Sequence, residues 1–446
     1  MRNSTFPGAN EPLHQTPQPN RDVTAFSGKI LVCEAGGSQI EGDGQLLFRW
    51  LPTPSLRFEM ALPGVFAGLG LNEVLLDAPL ASLAGLRAAV QSISSNTNPP
   101  GTSVAGIVLD DFSLHGDGAT LTELAFDIPN FHDYLGDPVA RGSGGSRSRL
   151  TLEAGDWLVN LDAMADLDKR IGALRSLGGF VITHAGTLTR KDGNPFSFAD
   201  TNEIRSALSA WLSFSRGLWC SPVFWYSKSD GWTRYTKPRL SQWRGVQSWF
   251  PLLGCDRARS TFPRLVQLLA DPTWKGPLEL AIYWYIHANE CAGGVEGSLV
   301  LAQTAFEMLA WTYLVEDRGV LTKQAWDQSN GASARIERLL TEMGIPVDLP
   351  ATECPELYAW AQSAGRGGSG PDALVGIRNA FGHPNTKNLK KALAVPSSAK
   401  QEAWQLALLY LEAMILMLLG YDGSIYSRVR SGFPSEVNVE KPWLPT

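Results

Sequence analysis

Cysteine is scarce in this 446-residue chain. Its five cysteines (Cys33, Cys220, Cys255, Cys291 and Cys354) lie far apart and none forms a Cys-x2-Cys pair, which argues against a disulfide framework and against a zinc knuckle. Histidine is nearly as sparse, at six residues. His115-Gly-Asp117 and His132-Asp133 sit among acids, but no further His stands at ligand spacing, so neither a metal nor a cofactor is expected. No apolar run reaches membrane length. The most apolar, Leu406 to Leu419, has 14 residues and contains Glu412, where a span needs roughly 20; it reads as a buried helix. Met1 to Asn20 is polar and Pro-rich, unlike a signal peptide. A soluble, cytoplasmic chain with no membrane partner is the expectation. Positive charge is not in excess either: 38 Lys and Arg face 44 Asp and Glu, a net charge of −6. No global field recruits nucleic acid, so any RNA contact falls to a local patch.

What is present is a change of texture along the chain. Residues 1–27 read as a disordered leader. From 28 to 150 short strand-like runs (Lys29-Ile-Leu-Val-Cys, Gln45-Leu-Leu-Phe-Arg-Trp-Leu, Ser55-Leu-Arg-Phe-Glu-Met, Val104-Ala-Gly-Ile-Val-Leu) alternate with Gly, Pro, Ser and Asn turns, predicting a β-rich domain. Leu80, Leu83, Leu86 and Val90 stand closer to helical spacing and predict a short helix. Arg141-Gly-Ser-Gly-Gly-Ser-Arg-Ser-Arg reads as a flexible linker or a loop tip. Residues 151–275 form a mixed, Trp-rich region, with a helix expected from Asp200 to Arg216 and His184 in a strand. From 276 to 430, apolar residues recur at three-to-four spacing in Leu278–Asn289, Gly297–Glu316, Ala332–Met343, Pro355–Gln362, Asp372–Gly382 and Ala399–Leu419, predicting a helical bundle. Residues 431–446 are a tail. The fold class expected is α+β and multidomain, a β-rich N-terminal half followed by an all-α bundle. Charge divides the same way: residues 151–277 carry +5, and the segments on either side are net acidic.

One constellation carries chemistry. In Arg378-Asn-Ala-Phe-Gly-His383-Pro, the arginine offers a permanently charged fork for a phosphate and the histidine exchanges a proton near neutral pH. Cleavage of RNA by its own 2′-hydroxyl needs both services. The bare spacing is weak, since about a third of chains with 26 Arg and 6 His would show an Arg-x4-His by chance. Context strengthens it: Gly382 and Pro384 stop the helix, so that His383 projects from a turn.

The segment resembles the Arg-φ-x3-His motif of the HEPN ribonuclease superfamily, in its Arg-Asn-x3-His-Pro form. Glu296-Gly-Ser-Leu-Val-Leu-Ala-Gln-Thr-Ala-Phe-Glu-Met-Leu-Ala-Trp resembles the first long helix of such bundles, and Ala399 to Leu419 the last. A β-rich front before this bundle is similar to the ApeA-like group of bacterial anti-phage defence proteins. The resemblance implies a metal-independent endoribonuclease of a defence (abortive-infection) system. It also implies a homodimer whose two Arg/His motifs form one site, answering to a phage-derived trigger or partner. Arg378 and His383 would be the catalytic pair, with Asn379 orienting its neighbours. Glu296 and Glu307, three helical turns apart, are second-tier carboxylates able to orient that pair or to form packing salt bridges; Glu412 is similar. The dimer has independent support: cleavage asks for two proton-transfer partners, and a two-fold axis supplies the second.

Lys228 to Arg264 holds eight basic and two acidic residues, with tryptophans and tyrosines interleaved. Lys228, Arg234, Lys237, Arg239 and Arg244, with Trp232 and Trp243, have the composition of a groove for single-stranded RNA. Tryptophans packing a β-core beneath a solvated charged face fit the pattern too, and both readings stay open. Gly365-Arg-Gly-Gly-Ser-Gly-Pro371 lacks the Lys-Ser/Thr of a P-loop and reads as a flexible loop. A reading from a different class also remains: a non-catalytic module that binds RNA or protein and dimerises through a degenerate bundle.

Overall fold

Alternation builds the first part of the chain into sheet. In β3 (Ser55–Pro63), Leu56, Phe58, Met60 and Leu62 are buried while Glu59 and Ala61 are exposed, the two-residue period of a strand with one wet face. The computed structural model describes residues 6–33, 39–64, 72–97, 100–142, 144–253, 255–382, 390, 393–429 and 438–439. It divides into two units, Met1–Asn202 with Cys220–Gly245, and Glu203–Trp219 with Val246–Thr446.

In the first unit, β1 (Val23–Cys33), β2 (Gln39–Arg49), β3, β4 (Glu73–Ala78), β5 (Leu83–Thr97) and β6 (Pro100–Val108) close into an antiparallel barrel, ordered β1-β2-β3-β6-β5-β4. Closure leaves no free edge. Its interior is filled by Ile30, Leu46, Phe58, Leu76 and Val104. Gly106 is obligatory there, because a Cβ would lie 2.0 Å from the Ala89 carbonyl oxygen and 2.6 Å from the Phe58 ring. An eight-stranded sheet follows: β7 (Phe112–Leu114), β8 (Leu124–Pro129), β9 (Asp137–Arg141), β10 (Gly144–Ala154), β11 (Trp157–Ala163), β12 (Ile182–Arg190), β13 (Val223–Tyr226) and β14 (Thr233–Tyr235). Its order is β7-β14-β13-β8-β12-β11-β10-β9, with α1 (Leu167–Leu177) joining β11 to β12.

Four expectations are corrected here. The helix expected from Leu80 to Val90 is a three-residue 3-10 turn (Pro79–Ala81) followed by β5. Leu76 pairs with Leu86 but Ala78 with Leu83, and Gly85, at φ +66°, takes up the extra residues of a bulge. The bulge puts Leu83 and Leu86 both inward, and so imitates helical spacing. Of the linker or loop tip expected at 141–149, the linker gives way: the segment is the β9–β10 hairpin, whose arginines are tied down, Arg149 to Asp162 at 2.6 Å and Arg147 Nε to the Gly136 carbonyl at 3.1 Å. The boundary expected at 150 therefore falls inside one sheet. The leader expected to be disordered is, from Phe6 to Asn20, an irregular segment hydrogen-bonded to that sheet.

The second unit is helical, in agreement with the spacing: α2 (Asn202–Arg216), α3 (Cys255–Arg259), α4 (Thr261–Ala270), α5 (Lys275–Asn289), α6 (Gly294–Trp311, continued by a π-helical stretch Thr312–Asp317), α7 (Lys323–Asp327), α8 (Gly331–Glu342), α9 (Pro355–Ser363), α10 (Gly370–Gly382) and α11 (Ser397–Leu418), then the short pair β15 (Ile425–Tyr426) and β16 (Asn438–Val439). The helix over 294–317 is long and apolar enough to cross a membrane, and 61% of its apolar window is buried within the protein, as in a core helix. The chain is thus α+β, with a β-rich first unit and a helical second one.

A buried charged network ties the end of the chain into this bundle. Glu412 of α11 and Arg428 are both buried. Arg428 donates to Glu412 through Nε (2.9 Å) and Nη2 (2.6 Å), and through Nη1 to the Asn289 side chain (3.1 Å). The Tyr285 hydroxyl donates to Glu412 at 2.5 Å, and Asn289 donates to the carbonyls of Gly217 and Gln247. Burial works against the Arg428 charge, but Glu412 and Tyr285 outweigh it and hold its pKa above the ordinary arginine range. Removing one member of such a pair strands the other in a dry interior, at roughly 3–5 kcal/mol. Glu412→Ala is expected to lose about that much stability in urea unfolding, and Glu412→Gln less, since the amide still accepts from Arg428.

Candidate active site at the end of α10

Helix α10 is built to be held in place. Ser369 begins it, its hydroxyl accepting from the Asp372 amide at 3.1 Å, and Pro371 occupies the first turn, where its missing N–H costs nothing. Gly370 packs against Tyr410 of α11, whose hydroxyl would lie 2.3 Å from a Cβ there. The glycine-rich loop before it, expected to be flexible, is anchored instead. Leu349 N donates to the Gly368 carbonyl (2.9 Å), Gly370 N to Val347 (2.8 Å) and Gly367 N to Asp372 (3.0 Å). Ser369 donates to Glu337, and Arg366 pairs with Asp372 at 3.1 Å. Leu374 and Val375 face a small apolar cavity with Leu299, Gln303 and Phe306 of α6, Ile336 of α8 and Ala407 of α11.

Arg378 stands one turn beyond that apolar contact and is half-buried. Its Nη1 donates to the Asn379 side-chain oxygen at 3.2 Å, while its Nε is shielded from water with no hydrogen-bond partner. Among the described residues no carboxylate lies within ion-pair distance of it. A shielded cation without a counter-charge is costly unless a ligand supplies one. Helix α10 is described as far as Gly382. His383 lies outside the described residues.

The two second-tier carboxylates separate. Glu296, in the first turn of α6, pairs with Lys400 of α11 at 3.0 Å, and the Lys400 ammonium sits 5.0 Å from the centre of the Phe381 ring. Glu296 therefore reaches the motif helix through Lys400, and that hydrogen bond holds its carboxyl below the usual range. Glu307 instead accepts from Gln303 at 2.8 Å. Lys400 was not singled out from sequence; a lysine early in an amphipathic helix carries no distinguishing signal. Glu412 belongs to the core network described above.

The basic, aromatic stretch divides between core and surface. Trp232 is 1% exposed, and Trp225, Tyr226, Tyr235 and Trp249 are likewise buried. Trp243 is half-buried against Ala163, Leu167 and Ile171. Of the two readings left open for the tryptophans, burial of Trp232 fits the packed core and not a stacking platform, and β13 and β14 beside it are interior strands of the sheet. Arg234 donates to the Ser113 hydroxyl at 3.1 Å and lies over the Phe198 ring. Lys237 is exposed, its ammonium on the Leu109 carbonyl. Lys228, Arg239 and Arg244 are exposed. All five of these cations belong to the first unit, whereas Arg378 belongs to the second. No group of three or more His, Cys, Asp or Glu able to hold a metal occurs among the described residues.

Comparison with known proteins follows the same division. Residues 116–246 match the YopA central domain and residues 271–439 the YopA C-terminal domain, the second of which includes α10. The SPbeta prophage-derived uncharacterized protein YopA of Bacillus subtilis (strain 168) is 26% identical over 440 residues, 95% of each chain. No solved structure matches this chain.

The Glu296–Lys400 pair is partly exposed, so its value is in placing Phe381 rather than in stability. A double-mutant cycle of Glu296→Gln and Lys400→Met, read by thermal unfolding, is expected to give a coupling of about 0.5 kcal/mol at low salt. Because the carboxyl is depressed in the folded state, this coupling is present above the ordinary carboxylate pKa near 4.3 and fades as pH falls below it.

Proposed function

We propose that this protein is a metal-independent endoribonuclease whose active site is built on Arg378 and His383, in the manner of the HEPN ribonucleases whose motif the sequence from Arg378 to His383 resembles. The observation that carries the reading is the state of Arg378: a half-buried guanidinium at the end of a rigidly anchored helix, with a shielded Nε that no protein group uses. A phosphodiester is the ligand such a group suits, being anionic, planar in its pairs of oxygens, and able to take two parallel N–H donors.

In the proposed reaction one imidazole removes the proton of a ribose 2′-hydroxyl as the oxygen attacks the adjacent phosphorus. A second acid protonates the departing 5′-oxygen, leaving a 2′,3′-cyclic phosphate and a 5′-hydroxyl. Arg378 stabilises the extra negative charge on the five-coordinate phosphorus, and Asn379, bonded to it, fixes the plane of the fork. One chain supplies one motif imidazole, so a homodimer that brings two motifs together provides base and acid at once. The exposed cations Lys228, Lys237, Arg239 and Arg244 would track the RNA backbone without help from Trp232. The relative carried by a prophage accords with a role in conflict between phage and host, the setting in which such nucleases act as toxins or antiviral defences.

The test is direct. Purified protein is expected to cut total RNA in EDTA, and Arg378→Ala and His383→Ala each to lower the rate at least 100-fold, in line with the loss of one proton-transfer or charge-stabilising group. Arg378→Lys keeps the charge but loses the fork, and is expected to recover little. Cleavage by His383→Ala at the wild-type rate would remove the assignment.

A further inference from the structure

The face of the eight-stranded sheet beneath residues 7–16 has a composition that folding alone does not call for. One cross-strand row reads Arg149, Asp162, Ala185, Asp127, Val223, on β10, β11, β12, β8 and β13 in turn. Asp162 and Asp127 are both fully buried, and an acid in mid-sheet is expensive unless something donates to it. Arg149 serves Asp162. Among the described residues no cation is within ion-pair distance of Asp127, and its Oδ2 has no donor at all.

What meets these groups is the main chain of the N-terminal segment. Residues 7–9 add to the edge strand β9, with Ala140 N bonded to the Pro7 carbonyl at 2.8 Å and Ala9 N to the Ala140 carbonyl at 3.1 Å. Arg149 then donates to the Gly8 carbonyl (2.8 Å), Asp162 accepts from the Asn10 amide (2.6 Å), Tyr226 donates to the Glu11 carbonyl (2.7 Å), Asp127 accepts from the Leu13 amide (3.2 Å), and Arg170 donates to the Thr16 carbonyl (3.1 Å). Five side chains thus read backbone groups, a mode indifferent to most of the bound sequence. Side chains are read as well: Leu13 packs on the barrel core, His14 sits 3.1 Å from the Tyr235 hydroxyl and edge-on to Phe224, the Asn10 side-chain amide donates to the Asn160 carbonyl at 3.3 Å, and Glu11 lies 4.0 Å from Arg141. The segment itself is never fully buried. Pro7 and Pro12 remove amides that would otherwise need partners, and the segment bends at Leu13 and His14, where Thr16 N returns to the His14 carbonyl at 3.0 Å. It lies on the sheet as a bound peptide does.

We infer that this face of the first unit is a binding groove for a proline-spaced peptide that bends at an adjacent apolar and imidazole anchor, and that the protein's own residues 7–16 occupy it in cis. The groove is independent of the nuclease reading. A partner bearing such a segment would bind by displacing the resident one, and Asp127 and Asp162 would take its amides.

The experiment uses the full chain with a protease site inserted between Pro17 and Gln18, cut after folding. A fluorescent peptide of residues 6–17 is expected to bind the cut chain saturably and to bind the uncut chain at least tenfold more weakly. Tyr226→Phe, which removes one hydroxyl and no bulk, and Asp162→Asn are each expected to weaken binding by about tenfold, the scale of one lost hydrogen bond to a charged or buried group. A peptide with its prolines changed to alanine should bind less well. Three results would overturn the inference: no binding to a cut chain that keeps its circular dichroism and melting temperature, equal binding of a scrambled peptide, or unfolding of the first unit on cutting, which would make the segment part of the core.

Discussion

A charge taken out of water has to be met by a partner, and both units of this protein are organised around that requirement. In the helical unit, Glu412 and Arg428 meet each other, and Tyr285, Asn289 and the Gln247 carbonyl take up what remains of their hydrogen-bonding capacity. In the sheet, Asp162 is met by Arg149 and by a backbone amide. Some buried groups are left incompletely met, among them Asp127 Oδ2 and Arg234 Nε in the first unit and Gln303 Oε1 and Arg378 Nε in the second. Arg378 stands on a helix held by the hydrogen bonds of its preceding loop and by a close glycine–tyrosine approach. On a permanently charged side chain, an unmet donor suits a ligand that brings its own negative charge.

Periodicity made much of the fold legible. The spacing of apolar residues from Leu278 onward located α5, α6, α8, α9, α10 and α11 to within a few residues, because each is long and buries one stripe. The strand runs around Lys29, Gln45, Ser55 and Val104 were legible for the matching reason. Failures came where local pattern and tertiary context disagree. A bulge at Gly85 shifted the parity of β5 and gave it helical spacing. The glycine and serine run after Arg141 folded into a hairpin because its arginines found partners across the sheet. The Pro-rich leader was polar enough to look unstructured, since its order comes from side chains more than 100 residues away in sequence, such as Asp127 and Asp162.

The candidate site was legible in part. Arg378 and Asn379 lie in the last described turn of the helix that the spacing predicted, and Glu296 is joined to that helix through Lys400 and Phe381, a link that only folding reveals. The aromatic half of the basic stretch was misleading, because tryptophan interleaved with arginine has the same composition in a nucleic-acid groove and in the core of a sheet. Trp232 shows which it is here. What remains of that stretch is charge: exposed Lys and Arg suited to following a phosphate backbone without regard to sequence.

Attack by an internal 2′-hydroxyl is the step on which the nuclease reading turns, and it leaves a signature no other route shares. The measurement is cleavage, in EDTA, of an RNA oligonucleotide in which the sugar at the preferred site is replaced by its 2′-deoxy counterpart. Complete resistance at that linkage, with cyclic-phosphate ends at the unmodified ribose linkages that are cut elsewhere, is the expected result. Cleavage at the deoxy position, or activity that appears only when a divalent cation is added, would contradict it.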